Sequence, residues 1–163
     1  PADIARVRVR TFAAAASLTR VSPRNTEEAQ YNLAFPVAAA LLDGAVGPAQ
    51  VLPPRLFDRD VLDLAARLEV EVAPEFDERF PAKAIAGDEI TAADGKIYDS
   101  GPVEACWEPP DTLPTDDELR EKFLWLASPV LGDVRAQSLL DLIWSFDQVP
   151  DARQLVQLSL IKS

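Results

Sequence analysis

The chain has 163 residues with 48% hydrophobic and 26% charged side chains, enough apolar material for a folded domain and too little charge for a disordered chain. Its 16 basic and 27 acidic side chains give a net charge of −11, which argues against nucleic-acid binding because basic side chains must neutralise the phosphates. No apolar run is long enough for a membrane span and Cys106 is the single cysteine, so we expect a cytoplasmic protein without an internal disulfide.

The first predicted element is a strand near residues 5–11. Val7 and Val9 alternate with arginines, so the valines should face a core while the arginines share the opposite face. We interpret this basic face as solvated or paired with acidic side chains of a neighbouring strand. An anion-binding site is the alternative.

A long helix is predicted next, near residues 26–43. Asn25 is a suitable amino-terminal cap, and Glu28 follows three residues later as in a capping box. Gly44 can take the left-handed conformation that ends many helices. Pro36 removes one backbone donor inside this segment, so we expect the helix to kink there.

A second helix near residues 58–67 leads into a strand near residues 68–73. This strand has the alternation complementary to that of the first strand, with Glu69 and Glu71 on its polar face. Opposite charges on neighbouring strands attract each other. The pattern therefore predicts that the two strands are adjacent and that Arg8 lies near Glu69 or Glu71.

Two further strands, near residues 85–92 and 97–104, form a predicted hairpin. Asp94 and Gly95 lie between them, and this pair supplies the positive φ that a tight reversal requires. The predicted fold class is α+β, with an antiparallel sheet of about four strands backed by helices and followed by a helical carboxyl-terminal tail.

The tail begins after a proline-rich linker at residues 107–114. Three helices are predicted in it, near residues 115–127, 133–146 and 151–161. Their apolar faces either cover the sheet or dock elsewhere.

No arrangement of catalytic or metal-binding side chains is evident. The chain has no His, which excludes Ser-His-Asp and Cys-His arrangements. Carboxylates cluster at residues 58–60 and 115–118, but both clusters begin predicted helices, where negative charge suits the helix dipole. We therefore predict no catalytic residue, no metal site and no cofactor.

The segment Asn25–Gly44, which reads NTEEAQYNLAFPVAAALLDG, resembles the signature helix of one enzyme family. That family is MmgE/PrpD, which includes 2-methylcitrate dehydratases, cis-aconitate decarboxylases and iminodisuccinate epimerases. The resemblance covers nearly the whole chain, because four other segments are similar to the family's carboxyl-terminal domain in its order and at about its spacing: Ile4–Thr11, Leu68–Val72, Ala92–Lys96 and Thr115–Phe123.

The resemblance implies that residues 1–112 are an α+β lid-like domain and that residues 113–163 are a helical tail of the same domain. Full-length members carry a large helical domain first, and then a Lys and His motif just ahead of the opening strand. This chain begins at Pro1 and has no His. We expect it to be a fragment or a separately encoded half that is inactive alone.

The resemblance also implies that part of the signature helix looks toward the cleft between the family's two domains. The implied substrate-binding residues are Gln30, Tyr31, Asn32 and Phe35. A Ser or Asn often stands at the Asn32 position and a Tyr or Phe at the Phe35 position, but Phe35 lacks the hydroxyl needed for proton transfer. The alternatives are a surface or interdomain hydrogen bond for Asn32 and core packing for Phe35.

By resemblance, the complete enzyme would need no cofactor and would remove a proton next to a carboxylate of a small polycarboxylate. The next step would be elimination, as in a 2-methylcitrate dehydratase-like hydro-lyase, decarboxylation in another lyase, or return of the proton on the other face in an isomerase. The expected partners are the missing helical domain or a partner subunit, together with a second copy in a homo-oligomer, and neither nucleic acid nor membrane. The alternative function is a noncatalytic binding or oligomerisation module derived from this domain.

Overall fold

A computed structural model describes residues 3–18, 22–107 and 112–160. The chain divides between Cys106 and Trp107 into two compact units. Most of the predicted linker, residues 108–111, lies outside the described residues, as does the predicted end of the last helix at Ile161.

The first unit combines short helices with strands. Its elements are β1 (Ile4–Thr11), α1 (Ala13–Ala16), α2 (Thr26–Gln30), α3 (Ala34–Asp43), α4 (Pro48–Val51), a 3₁₀ turn (Arg55–Phe57), α5 (Arg59–Ala65), β2 (Leu68–Val72), α6 (Pro74–Asp77), β3 (Ile85–Ala92), β4 (Ile97–Asp99) and β5 (Val103–Glu104).

Within the described residues, these five strands form one sheet of order β2-β1-β3-β4, with β5 also paired to β3. The pairs β1–β3, β3–β4 and β3–β5 are antiparallel, which confirms the predicted α+β class. β1 and β2 are adjacent as predicted, with Arg8 opposite Glu69, but this pair is parallel. Parallel pairing needs a long crossover, and helices α1 to α5 provide it between the two strands.

The core lies on the valine face of β1, as predicted. Val7 and Val9 are buried there in one cluster with side chains of α3 and α5, including Phe35, Val61 and Leu64. A second, smaller cluster consists of Ala73, Phe76 and Ile85. The helices predicted to back the sheet therefore do so.

The predicted 26–43 helix is two helices rather than one kinked helix. Its interruption lies at residues 31–33, which we call the joint, and this is ahead of Pro36. Pro36 is the third residue of α3, and the first helical turn tolerates Pro because its N–H groups have no partner within the helix. The predicted ends are confirmed: Asn25 Oδ1 accepts from the Glu28 N–H at 2.8 Å, and Gly44 has a φ of 75°.

The second unit contains α7 (Asp116–Leu131), α8 (Asp133–Trp144), a 3₁₀ turn (Phe146–Gln148) and α9 (Arg153–Ser159) among its described residues. The predicted capping box of Thr115 and Glu118 begins α7. α7 continues through Pro129, contrary to the prediction that it ends near residue 127, and stops at Gly132. Gly132 has a φ of 79° and its N–H closes the helix on the Ser128 carbonyl at 2.9 Å.

No helix in the described part of the chain combines the length and the apolar composition that crossing a membrane requires.

Candidate functional site

The four residues of the predicted site lie at the joint and on its two sides. Gln30 ends α2, Tyr31 and Asn32 belong to the joint, and Phe35 lies in the first turn of α3. Gln30 and Tyr31 are exposed, whereas Asn32 and Phe35 are buried. The four residues are therefore neighbours in the chain, but two of them face solvent and two are buried.

Asn32 is only 4% exposed, and it lies two residues ahead of the start of α3. Its Oδ1 accepts a hydrogen bond from the Phe35 N–H at 2.8 Å, which satisfies one of the unpaired donors in the first turn of that helix. Asn32 thus holds the angle at which the chain enters α3. In this hydrogen bond the carboxamide oxygen acts as a helix cap.

Phe35 is fully buried in the main core, together with Val7 and Val9 of β1. This environment corresponds to the core-packing alternative, because a side chain without exposed surface does not reach a ligand. Tyr31 has the opposite character, with 68% of its surface exposed. Tyr31 and Gln30 are accordingly the two exposed members of the predicted site.

The arginine face of β1 is paired with acidic side chains. Arg6 bonds to Glu69, Arg10 bonds to Glu75, and Arg8 lies 3.9 Å from Glu71 and 3.8 Å from Glu89. These contacts confirm the predicted cross-strand pairing.

Beside these arginines lies a depression of about 350 Å³, which is lined by more acidic than basic side chains of the arginine face: Arg8 and Arg10 against Glu71, Glu89 and Asp99. The surplus of negative charge repels anions. This depression therefore does not favour the anion-site alternative.

A second concavity of about 410 Å³, which we call the β3 cleft, is formed by β3, β5, α1 and the joint. Its apolar lining includes Phe12 of the α1 start, Leu33 of the joint and Val103 of β5. The carboxylates that line it are Asp88 and Glu104. A mostly apolar concavity with a few polar groups is the usual form of a small-molecule site.

Asp88 is a half-buried carboxylate in the middle of β3. It stands opposite Val9 in the antiparallel β1–β3 pair, so its side chain belongs to the core face of the sheet. Burial removes water from the carboxylate and raises the pKa of Asp88 above its ordinary value. Within residues 3–18, 22–107 and 112–160, no group bonds to this carboxylate.

Asp88 is held in place through its backbone. Its N–H donates to Ser100 Oγ at 2.9 Å, and its carbonyl accepts from the Ser100 N–H at 3.0 Å. The Ser100 hydroxyl in turn donates to the Gly101 carbonyl at 2.7 Å. These bonds fix the irregular segment between β4 and β5 against β3 and set the wall of the cleft.

Asp88 is absent from the predicted site, although the sequence carries a signal for it. Alternation along β3 places Asp88 on the same face as Ile90, which packs against the main core. A charged residue in phase with an apolar one on a central strand is the pattern that would have identified it.

The clustered carboxylates predicted to begin helices do so. Asp58 Oδ1 accepts from the Asp60 N–H at 2.9 Å, and this hydrogen bond holds the pKa of Asp58 below its ordinary value. In the described part of the chain, no group of three or more His, Cys, Asp or Glu side chains has the arrangement of a metal site.

Comparison with protein-family models gives a match to the MmgE/PrpD C-terminal domain over residues 1–148. No curated protein matches the chain. The family match spans the whole first unit and most of the second.

Proposed function

Since this chain belongs to the MmgE/PrpD family through its C-terminal domain, we propose that it is the lid-like domain of an enzyme acting on small polycarboxylates. The family match is the observation that carries this proposal, and the α+β fold agrees with it. The complete enzyme removes a proton next to a carboxylate of its substrate. Elimination, decarboxylation or return of the proton on the other face then completes the reaction.

The bases for this chemistry come from the helical domain, because the His and Lys side chains that could serve as bases are absent or held in other contacts among the described residues. The chain has no His. Lys83 bonds to Glu104 at 2.8 Å, Lys96 lies over the Tyr98 ring at 4.4 Å, and Lys122 lies over the Trp107 ring at 4.5 Å. Each of these three ammonium groups is therefore occupied by a contact within the chain. We infer that the chain alone is inactive.

The joint is the part of this chain that contacts the substrate. Gln30 and Tyr31 are exposed and offer an amide and a phenolic hydroxyl for hydrogen bonds to a carboxylate. Asn32 and Phe35 support the exposed residues of the joint. Asn32 caps α3, and Phe35 anchors α3 in the core. Closure of the lid then brings Tyr31 to the substrate.

Replacement of Tyr31 by Ala in the complete enzyme tests this role. Loss of one hydrogen bond to a charged substrate should lower kcat/KM about tenfold, while the melting temperature stays unchanged because the side chain is exposed. Tyr98, which is 51% exposed on β4, provides a matched control, and Tyr98→Ala should leave kcat/KM unchanged. Wild-type kcat/KM in the Tyr31→Ala enzyme would remove the joint from the substrate site.

A noncatalytic binding or oligomerisation module is the second candidate function, and one observation favours it. α7 has 16 residues and none of them is buried. The second unit also exposes many large apolar side chains: Leu113, Leu119, Trp125, Leu126, Val130, Val134, Ile143, Phe146, Val156 and Leu160. Exposed apolar surface of this kind marks an interface. A complete protein that binds a partner through these helices but turns over no polycarboxylate would favour this candidate over the enzyme.

A further inference from the structure

The β3 cleft combines an apolar wall with the Asp88 carboxylate, which has no partner among the described residues. We propose that it binds a small primary amine with an apolar body, whose ammonium group donates to Asp88 while the body packs against Phe12, Leu33 and Val103. This site shares Leu33 with the joint but includes neither Gln30 nor Tyr31, and it takes a ligand of the opposite charge to the polycarboxylate of the proposed function.

The ligand is expected to be a cation, because one of the two carboxylates of the cleft has an ion-pair partner and the other has none among the described residues. Glu104, the other acidic residue of the cleft, bonds to Lys83 at 2.8 Å. Asp88 has no such partner among the described residues and pays a desolvation penalty in its ionised form. A bound cation relieves that penalty, whereas a bound anion adds repulsion to it.

The ligand is expected to carry several N–H donors, because Ser100 offers a second hydrogen-bond acceptor next to Asp88. A hydroxyl oxygen has two acceptor lone pairs, and the Asp88 N–H occupies one of them. Ser100 lines the cleft beside Asp88, so an ammonium group there finds two acceptors, the Asp88 carboxylate and the Ser100 oxygen. A primary ammonium has three N–H donors and can use both, whereas a quaternary ammonium has none.

The ligand is expected to have an apolar body, because the rest of the cleft lining is mostly apolar. The Phe12 ring stacks on Phe80 with ring centroids 4.3 Å apart, which gives the cleft one fixed aromatic wall. The volume of about 410 Å³ lies in the range of small-molecule sites. A bare metal ion would leave this apolar surface without a contact.

Titration with benzylamine tests the proposal, with binding followed by amide chemical shifts of the 163-residue chain and by calorimetry. We expect binding with shifts at Ser100 and Gly101, and an affinity at least about tenfold weaker in Asp88→Asn. Glu89→Gln is the matched control, because Glu89 is the next residue, has the same charge and faces the opposite side of the sheet. This control should bind benzylamine like the wild type.

Two comparison ligands complete the test. Benzyl alcohol keeps the apolar body without the charge, and benzyltrimethylammonium keeps the charge without N–H donors. Both should bind at least about tenfold more weakly than benzylamine. No binding of benzylamine, equal binding by Asp88→Asn, or equal affinity for either comparison ligand would overturn the proposal. None of these outcomes depends on Tyr31 or on turnover, so the proposed function is tested separately.

Discussion

At the scale of single residues, Asp88 is a charge that the fold disfavours. It sits on the core face of the sheet opposite Val9 and bonds to no group in the described part of the chain. Its raised folded-state pKa means that the folded protein holds the proton more strongly than the unfolded chain does. The ionised carboxylate therefore lowers the stability of the fold, as functional groups in clefts often do.

The sign of the pH effect follows from that shift. The stability linked to the bound proton is fully present below the ordinary pKa of an aspartate and is lost as the pH rises through the raised folded pKa. Asp88→Asn should therefore raise the melting temperature at about pH 7, and the gain should vanish at low pH. Circular-dichroism melts at several pH values measure both effects. A lower melting temperature of the variant at neutral pH would show that the carboxylate has a stabilising partner.

Residues whose roles depend on their near neighbours were predictable. Asn25, Gly44 and Thr115 cap or end helices as the sequence indicates, because each acts on backbone groups within about one helical turn. The burial of Asn32 and Phe35, in contrast, depends on the contacts that α3 makes with the sheet. Contacts between distant parts of the chain cannot be predicted from the spacing of residues within one segment of the sequence.

At the scale of elements, the irregular segment between β4 and β5 depends on Gly87. A Cβ atom built at Gly87 would lie 2.8 Å from the carbonyl oxygen of Gly101, which is closer than real Cβ contacts allow. The obstacle is backbone, so it cannot move aside as a side chain would. Gly87 therefore permits the close approach that shapes one wall of the β3 cleft.

Gly87→Ala should accordingly destabilise the protein by about 1–3 kcal/mol, because the added methyl group forces the irregular segment between β4 and β5 away from β3. Urea unfolding gives this value directly. Gly95→Ala is a useful comparison, since Gly95 has open space around it but a φ of 84°, so its loss reports on backbone strain alone. Unchanged stability in Gly87→Ala would mean that the Gly101 carbonyl shifts at little cost.

The predicted helix breaks were wrong where a proline and a nearby capping residue gave conflicting signals. The position of Pro36 suggested a kink inside one helix, but Asn32 caps a new helix four residues earlier, and Pro36 then falls in a tolerant first turn. Pro129 likewise suggested an end to α7, whereas Gly132, which has a positive φ, ends the helix. The parallel direction of β2 beside β1 follows from the long crossover, and alternation alone carries no information on strand direction.

At the scale of the whole molecule, the second unit has little interior of its own. Its buried apolar residues are Ala136, Leu139 and Leu140 of α8 among those described, while Val134 on the same helix is 84% exposed. Exposed apolar surface of this kind marks a site of association with another protein surface.

We expect the chain to self-associate or to bind a hydrophobic dye, and Val134→Asp should weaken either effect without lowering the melting temperature, because that side chain is already exposed. Light scattering with parallel dye binding makes this measurement. Arg153→Asp, a surface change on α9 at an already charged position, controls for a general effect of added negative charge. A strict monomer without dye binding would contradict the prediction.

The most direct test of the lid proposal compares the chain alone with the chain joined behind the helical domain of a family member. Proton NMR in D₂O with 2-methylcitrate, cis-aconitate and iminodisuccinate detects proton removal next to a carboxylate, whichever reaction follows, either as loss of substrate or as solvent exchange. We predict no change in any substrate with the chain alone and turnover or exchange of at least one substrate with the joined protein. Turnover by the chain alone would contradict the account, because it would place a catalytic base in this domain.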